Sequence, residues 1–210
     1  MEFDTKETII KGAEVLFARQ GTAKVTMDDL ADYLKISKKT IYNHFRSKSS
    51  LVFHVVSSMI KDIIDSLDAI ASDPELDFID RLKTILEYSF QQVSRRGTLI
   101  MDTYVGIHFY DTNSPLEMMR KKIIELADRL FREGTEKGMI RSDLVREFVP
   151  YFYLNVIEGC VRLYREEDIG IRKDELFREA LRITFEGILT DGGRQHFDNG
   201  HETGAETRTP

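Results

Sequence analysis

The chain has 210 residues, 41% of them hydrophobic and 31% charged, with a formal net charge of -6. That length can bury a sizeable core, as one large domain or as a small module joined to a larger one. Charge interrupts the apolar stretches before any reaches the roughly 20 residues needed to cross a bilayer, and the single cysteine, Cys160, excludes an intramolecular disulfide.

The opening residues MEFDTKETII lack the basic region and apolar core of a signal peptide, so a cytoplasmic location is the expectation. Charge is unevenly placed. Residues 1–50 hold nine Lys/Arg against seven Asp/Glu, while the remainder holds 21 against 29. Between residues 35 and 48 five residues are basic (Lys35, Lys38, Lys39, Arg46, Lys48) and none is acidic. A basic segment on an otherwise acidic chain suits contact with a polyanion, although a solvated helix face gives the same pattern.

The first predicted helix covers about residues 4–20, from the spacing of Ile9, Ile10, Ala13, Leu16 and Phe17, with Gly21 as its stop. Thr26 followed by Asp29 forms a capping-box pattern, so a shorter second helix starts at Met27 and carries Leu30, Ala31 and Leu34. After a break at Lys35 and Ile36, Ser37 is a good N-cap for a third helix, on which Ile41 and Phe45 face inward. Two short helices joined by a tight turn form a helix-turn-helix, whose second helix lies in the major groove. Its early residues are Lys38, Lys39, Thr40, Asn43 and His44. Lys donates to guanine acceptors, Asn pairs with adenine through two hydrogen bonds, and Thr offers a hydroxyl or a methyl. Tyr42 and Lys48 are better placed for phosphate, which sets register and not sequence preference.

The span IIKGAEVLFARQGTAKVTMDDLADYLKISKKTIYNHFRSKSSLV, Ile9 to Val52, resembles the DNA-binding domain of TetR-family transcriptional regulators. The resemblance rests on Leu16, Phe17, Gly21, Thr26, Ala31, Ser37, Thr40, Tyr42, His44, Phe45 and Lys48, and covers about a fifth of the chain. It implies that Thr26, Tyr42 and Lys48 contact phosphates and that the base readers lie within Ser37 to His44. Two positions depart from it: Lys35 in the turn and Lys39 early in the recognition helix stand where the family often has glycine. Whether either touches DNA is open at this point.

From Ser47, apolar pairs every four residues (Leu51, Val55, Val56, Met59, Ile60, Ile63, Leu67) predict a long helix ending near Ala71 and covered on more than one side. Beyond Pro74 the pattern stays helical. Ile79 to Phe90 marks one helix, Leu99 to Tyr110 a second, and Pro115 to Gly138 a third. Leu144 to Arg165, bent at Pro150, and Lys173 to Leu189 follow. The tail from Asp191 is rich in glycine and poor in apolar residues, so it is expected to be disordered.

The expected fold is all-α. A helix-turn-helix DNA-binding domain spans residues 1–47 and a long helix joins it to a helical effector-binding and dimerisation domain at 48–190, with a tail at 191–210. The resemblance implies a homodimer formed through the last two long helices, on which Gly159 and Gly187 would permit close approach. Two recognition helices would then face half-sites of a palindromic operator in double-stranded DNA. It also implies a small-molecule effector pocket. Aromatic and Met residues on the middle helices fit an ordinary core, but polar residues among them need partners if buried. The candidate contacts are Met101, Tyr104, His108, Met119, Tyr151, Asn155 and Glu158.

The expected function is ligand-relieved repression. A regulator without a small effector, controlled by a protein partner, and an activator are the alternatives. An enzyme is disfavoured, and no cofactor or metal is expected. The five histidines show no metal-ligand spacing, Cys160 has no nearby histidine, and no phosphate-binding glycine loop is present.

Overall fold

A computed structural model of the chain describes residues 5–106, 115–164 and 170–199. Among these residues there are nine helices and no strand: α1 (Thr5–Gln20), α2 (Met27–Leu34), α3 (Lys38–His44), α4 (Lys48–Ala71), α5 (Phe78–Gly106), α6 (Pro115–Glu136), α7 (Val149–Tyr164), α8 (Lys173–Ile188) and α9 (Asp191–Asn199). No described helix is long and apolar enough to cross a membrane. The chain divides into two compact units, one of Met1–Ile63 with Arg95–Met119, the other of Ile64–Ser94 with Arg120–Pro210.

The first unit is built on the faces that the apolar spacing marks. Ile9, Ala13 and Phe17 of α1 are buried with Leu30 and Ala31 of α2, and Ile41 in the middle of α3 and Phe45 at its C-cap are fully buried. Each large apolar side chain removed from water in this cluster contributes about 1.5–3 kcal/mol to holding the three helices together. α1 and α2 approach closely at Gly12, where a Cβ would lie 2.6 Å from Leu34 Cδ2. The unit does not close at residue 47, where sequence patterning ends the DNA-binding domain. Leu51, Val55 and Met59 from the first turns of α4 seal the same core, so the compact unit runs on to Ile63.

The second unit packs the start of α5 with α6, α7, α8 and α9. Phe90 lies 5.7 Å from Phe177, and Tyr153 meets Phe185 edge-on at 6.4 Å. Arg81 ties three helices together, donating from Nη1 to the Ala71 carbonyl at 2.7 Å and pairing with Glu133 through both terminal nitrogens. After Gly138, in the left-handed region at φ 69, the chain runs beside the end of α8. Arg141 N donates to the Ile188 carbonyl at 2.9 Å there, and Thr190 N to the Met139 carbonyl at 3.0 Å.

Three elements differ from the sequence-based expectation. α5 is one helix where two were expected. Nothing between Phe90 and Leu99 stops a helix, and Gly97 within it costs only about 1 kcal/mol. α7 starts at Val149, so Pro150 occupies its first turn instead of bending a longer helix. That position needs no backbone N–H, because the first turn has no carbonyl to receive one. α9 replaces part of the expected disordered tail. Thr190 caps it by accepting from Gly193 N at 3.0 Å, and Gly193 is buried where a Cβ would lie 2.4 Å from the Met139 carbonyl oxygen. One of the glycines that suggest disorder, Gly193, is needed for close contact.

Candidate functional site

The helix-turn-helix is held by caps at each junction. Thr26 has extended backbone (φ -99, ψ 168) and starts α2 with a reciprocal pair: Asp29 N donates to Thr26 Oγ1 at 3.1 Å, and Thr26 N donates to Asp29 Oδ2 at 2.8 Å. The Thr26 hydroxyl and backbone N–H together hold the Asp29 carboxyl below its ordinary value. At the other end of α2, Lys35 adopts the left-handed conformation (φ 54, ψ 40). Its N–H reaches the Asp32 carbonyl at 3.3 Å, and Ile36 N reaches the Ala31 carbonyl at 3.1 Å. This is a Schellman ending with lysine in the place glycine favours. The tight turn therefore stores strain of about 1–2 kcal/mol.

Ser37 then caps α3, its hydroxyl accepting from Thr40 N at 3.0 Å and lying 2.8 Å from the Thr40 hydroxyl. With Ile41 and Phe45 fully buried, the rest of this seven-residue helix faces solvent. Lys38, Lys39, Asn43 and His44 are exposed, Tyr42 is 43% exposed, and Thr40 is half-buried. His44 also tilts against Phe45 at 6.4 Å. Two of the basic side chains are held by the protein. Lys38 Nζ lies 2.7 Å from Asp28 Oδ2 on α2. Lys48 Nζ donates to the Ala23 carbonyl at 3.2 Å, tying the first turn of α4 to the loop before α2.

All nine residues singled out for DNA contact (Thr26, Ser37, Lys38, Lys39, Thr40, Tyr42, Asn43, His44 and Lys48) lie in the first unit, at the ends of α2 and α4 or along α3. Lys35 and Arg46 are exposed beside them. Nothing in the local sequence pattern marks the pairing of Lys38 with Asp28. It joins residues ten apart on different helices, outside the reach of helical periodicity.

The second unit holds an apolar cavity of about 80 Å³. Leu67 of α4, Leu82 and Ile85 of α5, Leu126 and Leu130 of α6, and Phe185 of α8 line it, with Tyr153, Ser89 and Thr184 as its polar groups. Burial pushes the Tyr153 phenol up to about 12, against a hydrogen bond with Ser89 that pulls it down. Of the effector contacts expected from sequence, Met119, Tyr151, Asn155 and Glu158 do not line this cavity. Tyr151 and Asn155 are exposed, with Asn155 Nδ2 bonded to its own helix at the Tyr151 carbonyl, 2.8 Å away. Glu158 pairs with Arg120, and Met119 is half-buried in the first unit. Asn155 and Glu158 thus have partners within the protein. On α7 it is Val149, Tyr153 and Ile157, on the opposite face from Tyr151, Asn155 and Glu158, that reach the cavity. The side chains of Met101 and Tyr104, and His108 altogether, lie outside the described residues. Among the described residues no group of His, Cys, Asp and Glu could hold a metal ion.

A capped three-helix unit with a buried inner face and a basic, polar outer face on its third helix defines a helix-turn-helix DNA-binding protein. Residues 9–55 match the family described as bacterial regulatory proteins, tetR family. Residues 9–55 thus carry the DNA-binding domain of TetR-family transcriptional regulators. It is 23% identical over 187 residues to the HTH-type transcriptional repressor DhaR of Mycobacterium sp. (strain GP1), covering 85% of this chain and 89% of that protein. It is 22% identical to the HTH-type transcriptional regulator UidR of Escherichia coli (strain K12), covering 89% and 93%. Among solved structures, a TetR/AcrR-family regulator from Thermobifida fusca superposes with a TM-score of 0.69 at 25% identity, over 88% of this chain and 98% of that one. The ketosteroid transcriptional regulator KstR2 of Mycobacterium tuberculosis superposes at 0.63 with 21% identity, over 91% and 98%.

Proposed function

We propose that this regulator is a repressor that binds a palindromic operator as a homodimer and releases it when an apolar small molecule enters the second unit. The observation that carries the effector half of this reading is the cavity, which is apolar except for Tyr153, Ser89 and Thr184. Apolar walls with few polar groups are the usual composition of a small-molecule site. Its volume of about 80 Å³ is below the roughly 300–1,000 Å³ of most ligand pockets, so an effector would have to spread its walls. Two relatives are named repressors, DhaR and KstR2, which supports repression over activation.

The dimer is supported by the outer faces of α7 and α8. Phe152, Leu163 and Ile183 are exposed large apolar residues on these helices, and a Cβ on Gly159 or Gly187 would meet nothing within 4 Å. Helices with open small-residue positions and exposed apolar neighbours suit burial against a second copy. Half-sites would then lie one helical turn, about 34–36 Å, or a multiple of it apart.

The same helix serves both ends. α4 begins with Lys48 and includes the cavity residue Leu67. A ligand that favours a different setting of α4 would shift the population away from the DNA-binding state. The test is a mobility-shift titration of the full chain on a duplex selected from random DNA, with apolar alcohols, ketones and acids as competitors. Release by at least one apolar class supports the reading, and release by none of them, with DNA binding intact, removes the effector.

A further inference from the structure

The ion pair between α2 and α3 bears on how this chain reads DNA, given that α3 is the recognition helix of the regulator proposed above. Lys38 is the first residue of α3, after the cap Ser37, and Asp28 sits in the first turn of α2. The two charged atoms are 2.7 Å apart, with both side chains about half exposed. A cation at a helix N-terminus is disfavoured by the backbone dipole, and an anion at one is favoured. Asp28 is thus comfortable where it is, and it relieves the misplaced charge of Lys38. Among the described residues, the other exposed basic residues of the segment, Lys35, Lys39 and Arg46, carry no such carboxylate contact.

We infer that Asp28 is a specificity-determining residue that turns Lys38 from a phosphate-binding charge into a directed base reader. A lysine ammonium has three donors. With one on Asp28 Oδ2, the ammonium is fixed at the start of α3 with two donors left to aim outward, where early recognition-helix residues meet base edges. The pair is neutral, so Lys38 adds little to the counterion release that drives sequence-independent binding. Guanine O6 and N7 are the acceptors that suit such a donor. Without the carboxylate the four-carbon stem is free, and the ammonium goes to the nearest phosphate.

An exposed pair of this kind adds little to stability, so removing it should alter DNA binding and leave the fold intact. The experiment measures binding of the full chain to a random-sequence duplex across salt concentrations, for wild type, Asp28→Asn, Lys38→Ala and the double variant. Relative to wild type, the double variant, which removes both charges, is expected to change random-duplex affinity by less than about 2-fold and to leave the salt slope nearly unaltered. Relative to Asp28→Asn, the double variant is expected to lower affinity by on the order of 5- to 10-fold near 0.1 M salt and to reduce the slope by about 0.9, one phosphate contact. Lys38→Ala alone leaves Asp28 uncompensated and is expected to bind more weakly than the double variant. Equal losses in the double variant relative to wild type and relative to Asp28→Asn would overturn the inference, because Lys38 would then be a phosphate contact with or without Asp28. Circular dichroism melting confirms folding of each variant, and Asp28→Ser serves if Asp28→Asn fails to fold. Since these arms use random duplex, they decide the role of Lys38 even where no palindrome is enriched, an outcome that bears on the operator alone.

Discussion

The Lys48 ammonium lies 3.2 Å from the Ala23 carbonyl, so the first turn of α4 is fastened to the loop that leads into the capped start of α2. Thr26 and Asp29 stand at that start. Lys48 therefore sits where two helix beginnings converge, the arrangement that favours an anion. Lys48→Ala is expected to weaken binding to selected and random duplexes alike and to reduce the salt slope by about 0.9, the value for one lost phosphate contact. Fluorescence anisotropy across a salt series reads both quantities.

Asn43 behaves differently if it reads a base. It is exposed on α3, two residues after the buried Ile41. Asn43→Ala should relax preference at one operator position, costing about 1–3 kcal/mol there, and should hardly affect random DNA. Equal losses on the two duplexes would take Asn43 out of the base-reading set.

Lys35 carries backbone strain that glycine would not. Its left-handed conformation is fixed by two backbone hydrogen bonds that end α2. Lys35→Gly is expected to stabilise the protein by about 0.5–1 kcal/mol, the relief of a side chain in that region less the added entropy of unfolded glycine. A higher urea midpoint with an unchanged slope is the supporting result.

The capping box at Thr26 sets a pH dependence. Asp29 has its carboxyl held low in the folded state, chiefly by the Thr26 hydroxyl and then by the Thr26 N–H. A depressed folded value means the unfolded chain binds the proton more readily, so this stabilisation is present above the unfolded carboxylate range and is lost as pH falls through the folded value. Asp29→Asn is expected to flatten the acid limb of a pH–stability curve. An acid limb as steep as that of wild type would show that the box contributes nothing.

Filling the cavity should separate sensing from DNA binding. Ala127 lines it from α6, facing Tyr153 and Phe185 among its walls. Ala127→Leu is expected to retain DNA binding within about 3-fold while abolishing release by apolar compounds, with a stability change of about 1–3 kcal/mol in either direction as the larger side chain fills or overpacks the space. Retained release in this variant would move the effector site elsewhere.

The DNA-binding elements were legible in the sequence because their signals are local. A cap, a four-residue spacing and a turn are each written within a few residues, and Thr26, Ser37, Ile41 and Phe45 take the places that this spacing indicates. Even the strain at Lys35 follows from the turn geometry its position requires. The cavity was not legible. Asn155 and Glu158 stand out by polarity on an apolar helix, but a neighbouring carbonyl and Arg120 satisfy them, while Tyr153 and Ile157 look like ordinary core. Which face of α7 lines an opening depends on what packs beside it. Similarly, Gly192 and Gly193 suggested a loose tail, and only the closeness of Met139 shows that α9 needs Gly193 to fit.

The most direct test of the account is selection of binding sites from random duplex DNA by the full chain. A dimeric helix-turn-helix regulator should enrich an approximate palindrome whose half-sites are one helical turn, about 34–36 Å, or a multiple of it apart, with Asn43→Ala relaxing one position symmetrically in both halves. Recovery of an asymmetric single site, or of no preferred sequence at all, would contradict it.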